Sequence, residues 1–250
     1  MLRVTTIIIS LSFLKCVAFS QCIEKKQIKY GGDYGFVNYI HLCPTYAFAF
    51  GGDTSKKWNV LNDPIDIKQA PSNALIFKKK VELAIKNFSG NDFYSNLKFQ
   101  SVDVVYPERL KLFRTEGRQG VMLKYYKGKY FYYYQFKPDT SAAYLIGIAV
   151  DKNGKILSPF VFPAKKNYKS VDKDFTYCKL IQIAKSKQKD IDPIESISLE
   201  FDTKSQRFLW LISQAVVKPH EGTNSINQVT IDAANLSIIE VIKSQVHIVF

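Results

Sequence analysis

The chain has 250 residues, 46% of them apolar and 23% charged. These values are typical of a globular protein and exclude a wholly disordered chain. The length permits one large domain or two small ones. The formal net charge of +13 favours anionic surroundings such as lipid headgroups, acidic glycans, an acidic protein or nucleic acid. Because the lysines are spread along the chain, a surface that merely keeps the protein dissolved is the alternative to a polyanion-binding face.

Residues 1–20 predict a signal peptide. Arg3 supplies a positive start, Val4–Leu14 is apolar, and small residues precede a cleavage site after Ser20. The apolar run is too short for a helix across a bilayer, which needs about 20 residues, and no later stretch reaches that length without charges. We therefore expect an exported chain, periplasmic or secreted. The alternatives are a buried N-terminal strand or helix, and lipoprotein anchoring at Cys22, for which the preceding residues form a poor lipobox.

Residues 21–72 form an N-terminal segment rich in glycine and tyrosine. Three cysteines follow the cleavage site: Cys22, Cys43 and Cys178. Disulfides persist in exported proteins, and the two cysteines that lie close in sequence predict a Cys22–Cys43 bridge. Cys178 is then a free thiol on the apolar side of a predicted helix.

Residues 73–165 predict a first α+β unit. Apolar residues spaced along one helical face predict a helix over Asn73–Phe88 with Ser72 as its N-cap. Alternating apolar and aromatic residues, with glycine-containing turns between them, predict the strands that follow. These strand segments are Leu97–Tyr106, Val121–Tyr126, Tyr130–Phe136, Tyr144–Val150 and Lys155–Val161.

Residues 166–250 predict a second unit with the same order of elements. Asp172 and Asp174 are candidate caps for a helix over Phe175–Ser186, with Cys178, Ile181 and Ala184 on its inner face. Strand patterns follow at Ile197–Phe201, Arg207–Gln214, Gln228–Ile231 and Ser237–Val241. The shared order predicts an α+β fold of two helix-on-antiparallel-sheet units after the N-terminal segment.

In the second unit a helical piece is followed by four apolar strand pieces: Cys178–Ala184, Ile197–Phe201, Phe208–Ile212, Val229–Asp232 and Ile238–Glu240. On these pieces residues 175–241 resemble a PepSY-like domain, and 73–162 resemble a diverged copy of it. The resemblance implies PepSY-like or cystatin-like helix-on-sheet units. Leu236 stands where the family often has glycine, and Asn235 beside it is expected to supply the left-handed conformation. The resemblance implies an envelope binding or regulatory module, sometimes linked to protease inhibition, without catalytic residues.

The sequence carries no recognisable catalytic, cofactor or metal motif. His41 and Cys43, two apart on a strand, would face the same side as a base and a thiol, but the expected disulfide removes that thiol. The P-loop, the GxGxxG fingerprint and the GxSxG elbow are missing, and the histidines lack metal-ligand spacing. We therefore expect no enzyme site, no cofactor and no metal.

An aromatic, lysine-flanked hairpin is the candidate binding face. Outward rings beside cations suit a sugar, single-stranded nucleic acid or a partner protein, whereas the alternative is an ordinary aromatic-rich sheet. The candidate residues are Lys124, Tyr126, Lys127, Lys129, Tyr130, Tyr132 and Tyr134.

These observations lead to one functional hypothesis with two alternatives. We expect an exported, non-enzymatic binding or regulatory module that recognises a protein or an anionic envelope component, since export argues against nucleic acid. An inhibitor or immunity protein for an exported enzyme is the first alternative. A hydrolase with an unrecognised site is the second.

Overall fold

The computed structural model describes residues 22–33, 45–52, 64–106, 127–138, 143–214 and 223–247. The predicted signal peptide, 1–20, lies outside these residues. In chain order the strands are β1 (Ile28–Lys29), β2 (Gly31–Asp33), β3 (Thr45–Ala49), β4 (Ile65–Asp66), β5 (Leu97–Val105), β6 (Tyr130–Phe136), β7 (Tyr144–Val150), β8 (Ile194–Asp202), β9 (Arg207–Gln214), β10 (Thr223–Asp232) and β11 (Ile238–His247). The α-helices of this part are α1 (Ser72–Ser89), α2 (Asn91–Ser95) and α3 (Tyr177–Lys187).

The fold is α+β, as the sequence predicts, with two sheets. The first sheet has the strand order β2-β7-β6-β5-β3-β4, and the second has the order β1-β8-β9-β10-β11. The long strands pair antiparallel in both sheets. The short N-terminal strands β1, β2 and β4 pair parallel with β8, β7 and β3. Both sheets are therefore mixed, because the N-terminal segment adds parallel strands to antiparallel cores.

Both predicted helices are present, with different caps from those expected. Ser72 is the first helical residue of α1 and Pro71 takes the N-cap position, as suits a proline at the start of a helix. Gly90, at φ 86°, ends this helix. Thr176 caps α3 by accepting a hydrogen bond from the Lys179 amide at 3.1 Å. The Asp172 carboxylate instead accepts from the Asp174 amide within the preceding turn.

Two other local expectations need correction. The segment Lys155–Val161 is not a strand. It forms one isolated antiparallel bridge, between Val150 and Ile156, instead of continuous strand pairing. In the β10–β11 turn Leu236 itself has a φ of 58°, so Asn235 does not supply the left-handed conformation. Leu236 is buried, and burial of its side chain offsets the modest cost of that backbone.

Aromatic rings join the two predicted units into one core. Phe208 of β9 stacks on Phe136 of β6 with centroids 4.8 Å apart, and Phe93 of α2 stacks on Phe136 at 4.6 Å. Tyr144 of β7 packs edge-on against Phe208 at 5.4 Å. Buried residues of both sheets belong to one continuous cluster. Each unit has its own helix and sheet, while their separation into domains stays a prediction.

The N-terminal segment ties the two sheets together. Residues 28–29 extend the second sheet as β1, and residues 31–33 extend the first as β2. Gly31 makes this crossing possible, because a Cβ there would lie 1.7 Å from the Leu199 carbonyl oxygen. A side chain of any size is excluded at this position.

The disulfide joins Cys22 to Cys178, and the expectation of a Cys22–Cys43 bridge is wrong. The Cα atoms of Cys22 and Cys178 lie 5.6 Å apart although 156 positions separate them in sequence. Pairing of β1 with β8 carries residues 28–29 back to the second unit, where Cys178 lies in the first turn of α3. Proximity in sequence therefore misidentified the partner. Cys43 and His41 lie outside the described residues.

Loss of this bridge should destabilise the protein. Cys178→Ser is expected to lower the free energy of unfolding by about 4 kcal/mol, because the bridge closes a very long loop. Cys22→Ser should lower the free energy of unfolding by the same amount, and the variant with both changes should lose no more than either single variant. Cys43→Ser should change it little. Denaturant unfolding measures the four values, and non-reducing peptide mapping of protein purified from its own compartment should show the Cys22–Cys178 peptide. A Cys22–Cys43 peptide would contradict the assignment.

Candidate functional site

Three of the four tyrosines of β6 face inward, so the binding face expected of Tyr130, Tyr132 and Tyr134 is buried. Tyr130, Tyr132 and Tyr134 are 5%, 0% and 1% exposed and lie in the main core beneath α1. The Tyr132 hydroxyl donates to the Ala74 carbonyl at 2.8 Å, and the Asn73 side chain hydrogen-bonds Tyr130. Burial raises the pKa of Tyr132 and Tyr134. These rings hold α1 on the sheet and cannot meet a partner.

The lysines of the expected face are not gathered around those rings. Lys127 is exposed before β6 begins. The Lys129 Nζ lies 4.1 Å from the centroid of the Tyr106 ring, a cation–π distance. Lys124 and Tyr126 lie outside the described residues. The structure thus separates the described lysines from the three tyrosines.

The opposite face of the first sheet holds a carboxyl with a shifted pKa. The Tyr133 hydroxyl donates to Asp103 Oδ2 at 3.0 Å. Desolvation by burial raises the pKa of Asp103 to about 6, and the bond from Tyr133 opposes part of that rise. Shifted carboxyl groups are frequent at functional sites. A catalytic pair would also need a second acid, base or nucleophile within reach, and Tyr133 is the side-chain partner found for Asp103 among the described residues.

A narrow crevice lies between residues 163–169 and the turns of the second sheet. Arg207 Nη1 donates to Asp232 Oδ2 at 3.2 Å, and Asp232 Oδ1 accepts from the Ala234 amide at 2.8 Å. The crevice has room for about one water molecule, so it is too small for an organic ligand. Within the described ranges no three His, Cys, Asp or Glu side chains approach one another as metal ligands would.

The solvent side of α1 is the candidate functional site. Ala74, Phe77, Val81 and Ile85 bury the inner side of this helix. The opposite side presents two large apolar residues, Ile76 and Leu83, which are 52% and 59% exposed. They are seven positions apart and so lie on one line along the helix. Exposed lysines surround them. We define the α1 face as Ile76, Lys79, Lys80, Leu83 and Lys86.

Neighbouring segments add further lysines beside the α1 face. The turn at Gly154 packs on the Phe77 ring, since a Cβ on that glycine would lie 2.5 Å from it. At the other end of α1, the Lys165 amide donates to the Phe88 carbonyl at 2.7 Å. Lys152 and Lys155 flank the Gly154 turn in sequence, and Lys165 and Lys166 lie where the segment meets the end of α1. Residues 72–96 and 151–169 together contain nine lysines and three acidic residues, so the surface is strongly basic.

Carboxylates do little to neutralise this surface. Glu82, the acidic residue of α1, pairs with Lys78 at 2.6 Å. Asp151 is engaged by the amides of Asn153 and Lys155 in its own turn, both at 2.8 Å. In the part of the chain that the structure describes, Lys79, Lys80 and Lys86 have no ion-pair partner. Lys80 and Lys86 instead lie over the Phe77 and Tyr94 rings, at 5.2 Å and 6.0 Å from the ring centroids.

Helix α3 offers an internal comparison. It packs on the second sheet through Leu180, Ile181 and Ala184, much as α1 packs on the first. Its exposed side is polar, with Gln182 and Ser186 among lysines and without a large exposed apolar residue. Lys185 also pairs with Asp192 at 2.6 Å. Mixed apolar and basic exposure is therefore a property of α1, not of both helices.

The sequence analysis missed the α1 face because it considered the apolar residues on the buried side of the helix and not those on its exposed side. The inner stripe predicts the helix correctly, and the run Lys78–Lys80 suggests a solvated surface. A signal was present, however: Ile76 and Leu83 fall on the side opposite the inner stripe. Two large aliphatic residues on that side are unexplained by packing against the sheet.

Comparison of the chain with family models, curated proteins and solved structures finds no match. Among the described residues, no helix combines the length and the apolar character that a membrane crossing requires.

The raised pKa of Asp103 predicts a pH-dependent stability. The pKa of an Asp in an unfolded chain is about 3.9, so the folded state binds this proton more tightly than the unfolded state does. The folded state therefore loses stability as the pH rises from about 4 to about 6. The loss attributable to this group is about 2 kcal/mol. Asp103→Asn should remove it. Urea unfolding of wild type and variant across this range should show the variant gaining relative stability with pH; a constant difference would contradict the assignment.

Two conservative changes test the roles of the buried tyrosines. Tyr132→Phe loses the bond to the Ala74 carbonyl and should cost about 1 kcal/mol of stability. Tyr134→Phe is the matched control, because its buried hydroxyl has no hydrogen-bond partner within the described residues and its loss should be neutral or stabilising. Chemical denaturation compares the two. Equal destabilisation by both changes would contradict this description of the core.

Proposed function

We propose that the protein is an exported, non-enzymatic binding module that recognises an anionic partner through the α1 face. One observation carries the proposal. Ile76 and Leu83 stand exposed on the same side of α1 as Lys79, Lys80 and Lys86. This combination is typical of a surface that binds a negatively charged, partly apolar partner.

The two kinds of residue supply different parts of binding. Apolar area removed from water contributes roughly 25 cal/mol per Å², so the exposed ends of Ile76 and Leu83 can add affinity without a deep pocket. Exposed ion pairs contribute about 0.2–1 kcal/mol each. The larger effect of the lysines is on association, because a basic surface attracts an anionic partner over about a Debye length.

Three observations support export and a binding role. Residues 1–20 have the pattern of a signal peptide. The Cys22–Cys178 disulfide suits an oxidising compartment. The resemblance of residues 175–241 to PepSY-like domains suits an envelope module, and α3 followed by the β8–β11 sheet has the order of elements that the resemblance implies.

A sulfated polysaccharide is a suitable test ligand, because it supplies anionic charge without a lipid surface. The α1 variant carries Lys79→Gln, Lys80→Gln and Lys86→Gln. It should bind roughly ten-fold more weakly than wild type at low salt, since three ion-pairing groups are lost. Calorimetric titration at two salt concentrations measures the affinities, and the difference should shrink at higher salt.

The α3 variant, with Lys179→Gln, Lys187→Gln and Lys189→Gln, is the matched control. It loses the same formal charge from exposed positions, so it should bind nearly as tightly as wild type. Equal loss of affinity in both variants would show that binding follows net charge alone. The proposed site would then be wrong.

A further inference from the structure

We infer that the anionic partner is a lipid bilayer surface, on which the protein lies with the α1 face against the headgroups. The inference rests on the proposed function and names its partner. Ile76 and Leu83 would enter the boundary between headgroups and acyl chains, while the lysines beside them contact lipid phosphates. This is peripheral attachment through one side of a helix, without a crossing of the membrane.

The shape of the surface favours a flat partner. Helix α1 covers the inner face of β6, and its other side projects away from the sheet. Ile76 and Leu83 are about 10 Å apart along the axis, in one row on the side of α1 that faces away from the sheet. Apolar side chains that project from a helix in one row match a soft, planar boundary better than they match a rigid concave pocket.

Exposed aromatic residues lie on the flank and at the end of the same helix. Phe50, 68% exposed, packs edge-on against Phe99 at 5.8 Å, and the Lys78 Nζ lies 4.7 Å from the Phe99 ring. Phe50 is thereby placed beside α1. Phe88, 36% exposed, packs against Phe160 at the end of α1. Phe88 continues the inner side of the helix, so Ile76, Leu83 and Phe50 are the three of the seven exposed large apolar side chains of the described chain that lie on or beside the α1 face.

The lysines are placed to complement anionic headgroups. Lys79 and Lys86 lie on one side of the Ile76–Leu83 line, and Lys80 lies on the side of the Gly154 turn. Long lysine stems can keep the ammonium groups at headgroup level while apolar neighbours enter more deeply. Each lysine near an anionic membrane contributes about a five-fold gain in binding. The polar exposed side of α3 lacks the apolar half of this arrangement.

Vesicle binding of the exported protein tests the inference. The probes are vesicles of phosphatidylcholine alone and of phosphatidylcholine mixed with phosphatidylglycerol. We expect wild type to sediment with the mixed vesicles and not with the neutral ones. The α1 variant should bind the mixed vesicles roughly 100-fold more weakly, and the α3 variant should bind nearly as wild type.

The apolar residues provide the decisive comparison. Ile76→Ser combined with Leu83→Ser keeps every charge and should weaken vesicle binding roughly ten-fold or more, while polysaccharide binding should barely change. Both residues are exposed, so the variant should fold; circular dichroism and thermal melting verify this. Vesicle binding undiminished by the serine changes, or absent in wild type, would overturn the membrane inference.

The two proposals fail in distinguishable ways. If polysaccharide binding depends on the α1 lysines but vesicles are not bound, the α1 face still recognises anions and the partner is a soluble acidic protein or polymer. If neither ligand distinguishes the α1 variant from the α3 variant, the proposed function falls together with the membrane inference.

Discussion

Burial of the β6 tyrosines beneath α1 is the constraint on which the rest of the site depends. Three large rings on one side of a strand require a cover, and α1 supplies it with Ala74 and Phe77 at the contact. This packing fixes the rotation of the helix about its axis. Once the inner stripe is set, the 3.6-residue period directs Ile76 and Leu83 to the solvent. The exposed apolar residues are thus a consequence of how the core is built, and folding gains little from them.

The N-terminal segment and the aromatic stack hold the two units in a fixed relation. The segment crosses from β8 to β7 within a few residues, and Gly31 leaves no room for another side chain there. The stacked rings of Phe136 and Phe208 close the junction from the core side. In addition, the Cys22–Cys178 disulfide anchors the start of the N-terminal segment on α3. The short N-terminal segment pairs with only a few residues of each sheet, but it joins the two sheets to each other.

Local periodicity predicted most of the fold, and long-range pairing accounts for most of the errors. Both long helices and β9 follow directly from apolar spacing and turn residues. The orientation of β6 was not predictable in the same way, because Phe131 is as apolar as its neighbours and alternation then leaves either side free to face the core. The predicted disulfide was wrong for a related reason. The N-terminal segment reaches Cys178 because β1 pairs with the distant strand β8, and the spacing of cysteines along the chain carries no information about that pairing. The α1 face was missed because the positions opposite a buried stripe are usually ignored.

Helices α1 and α3 both pack on a sheet and differ on their exposed sides. Both helices bury an apolar stripe on a sheet, so both satisfy the same folding requirement. Their exposed sides are under no such requirement, and there they differ. Single exposed apolar residues are common on protein surfaces, but two in helical register, flanked by lysines without ion-pair partners among the described residues, add aggregation risk without adding to the core. A binding partner that covers Ile76 and Leu83 would remove this aggregation risk. A partner that is both anionic and apolar uses every feature of the α1 face, whereas a purely ionic partner leaves Ile76 and Leu83 without a role.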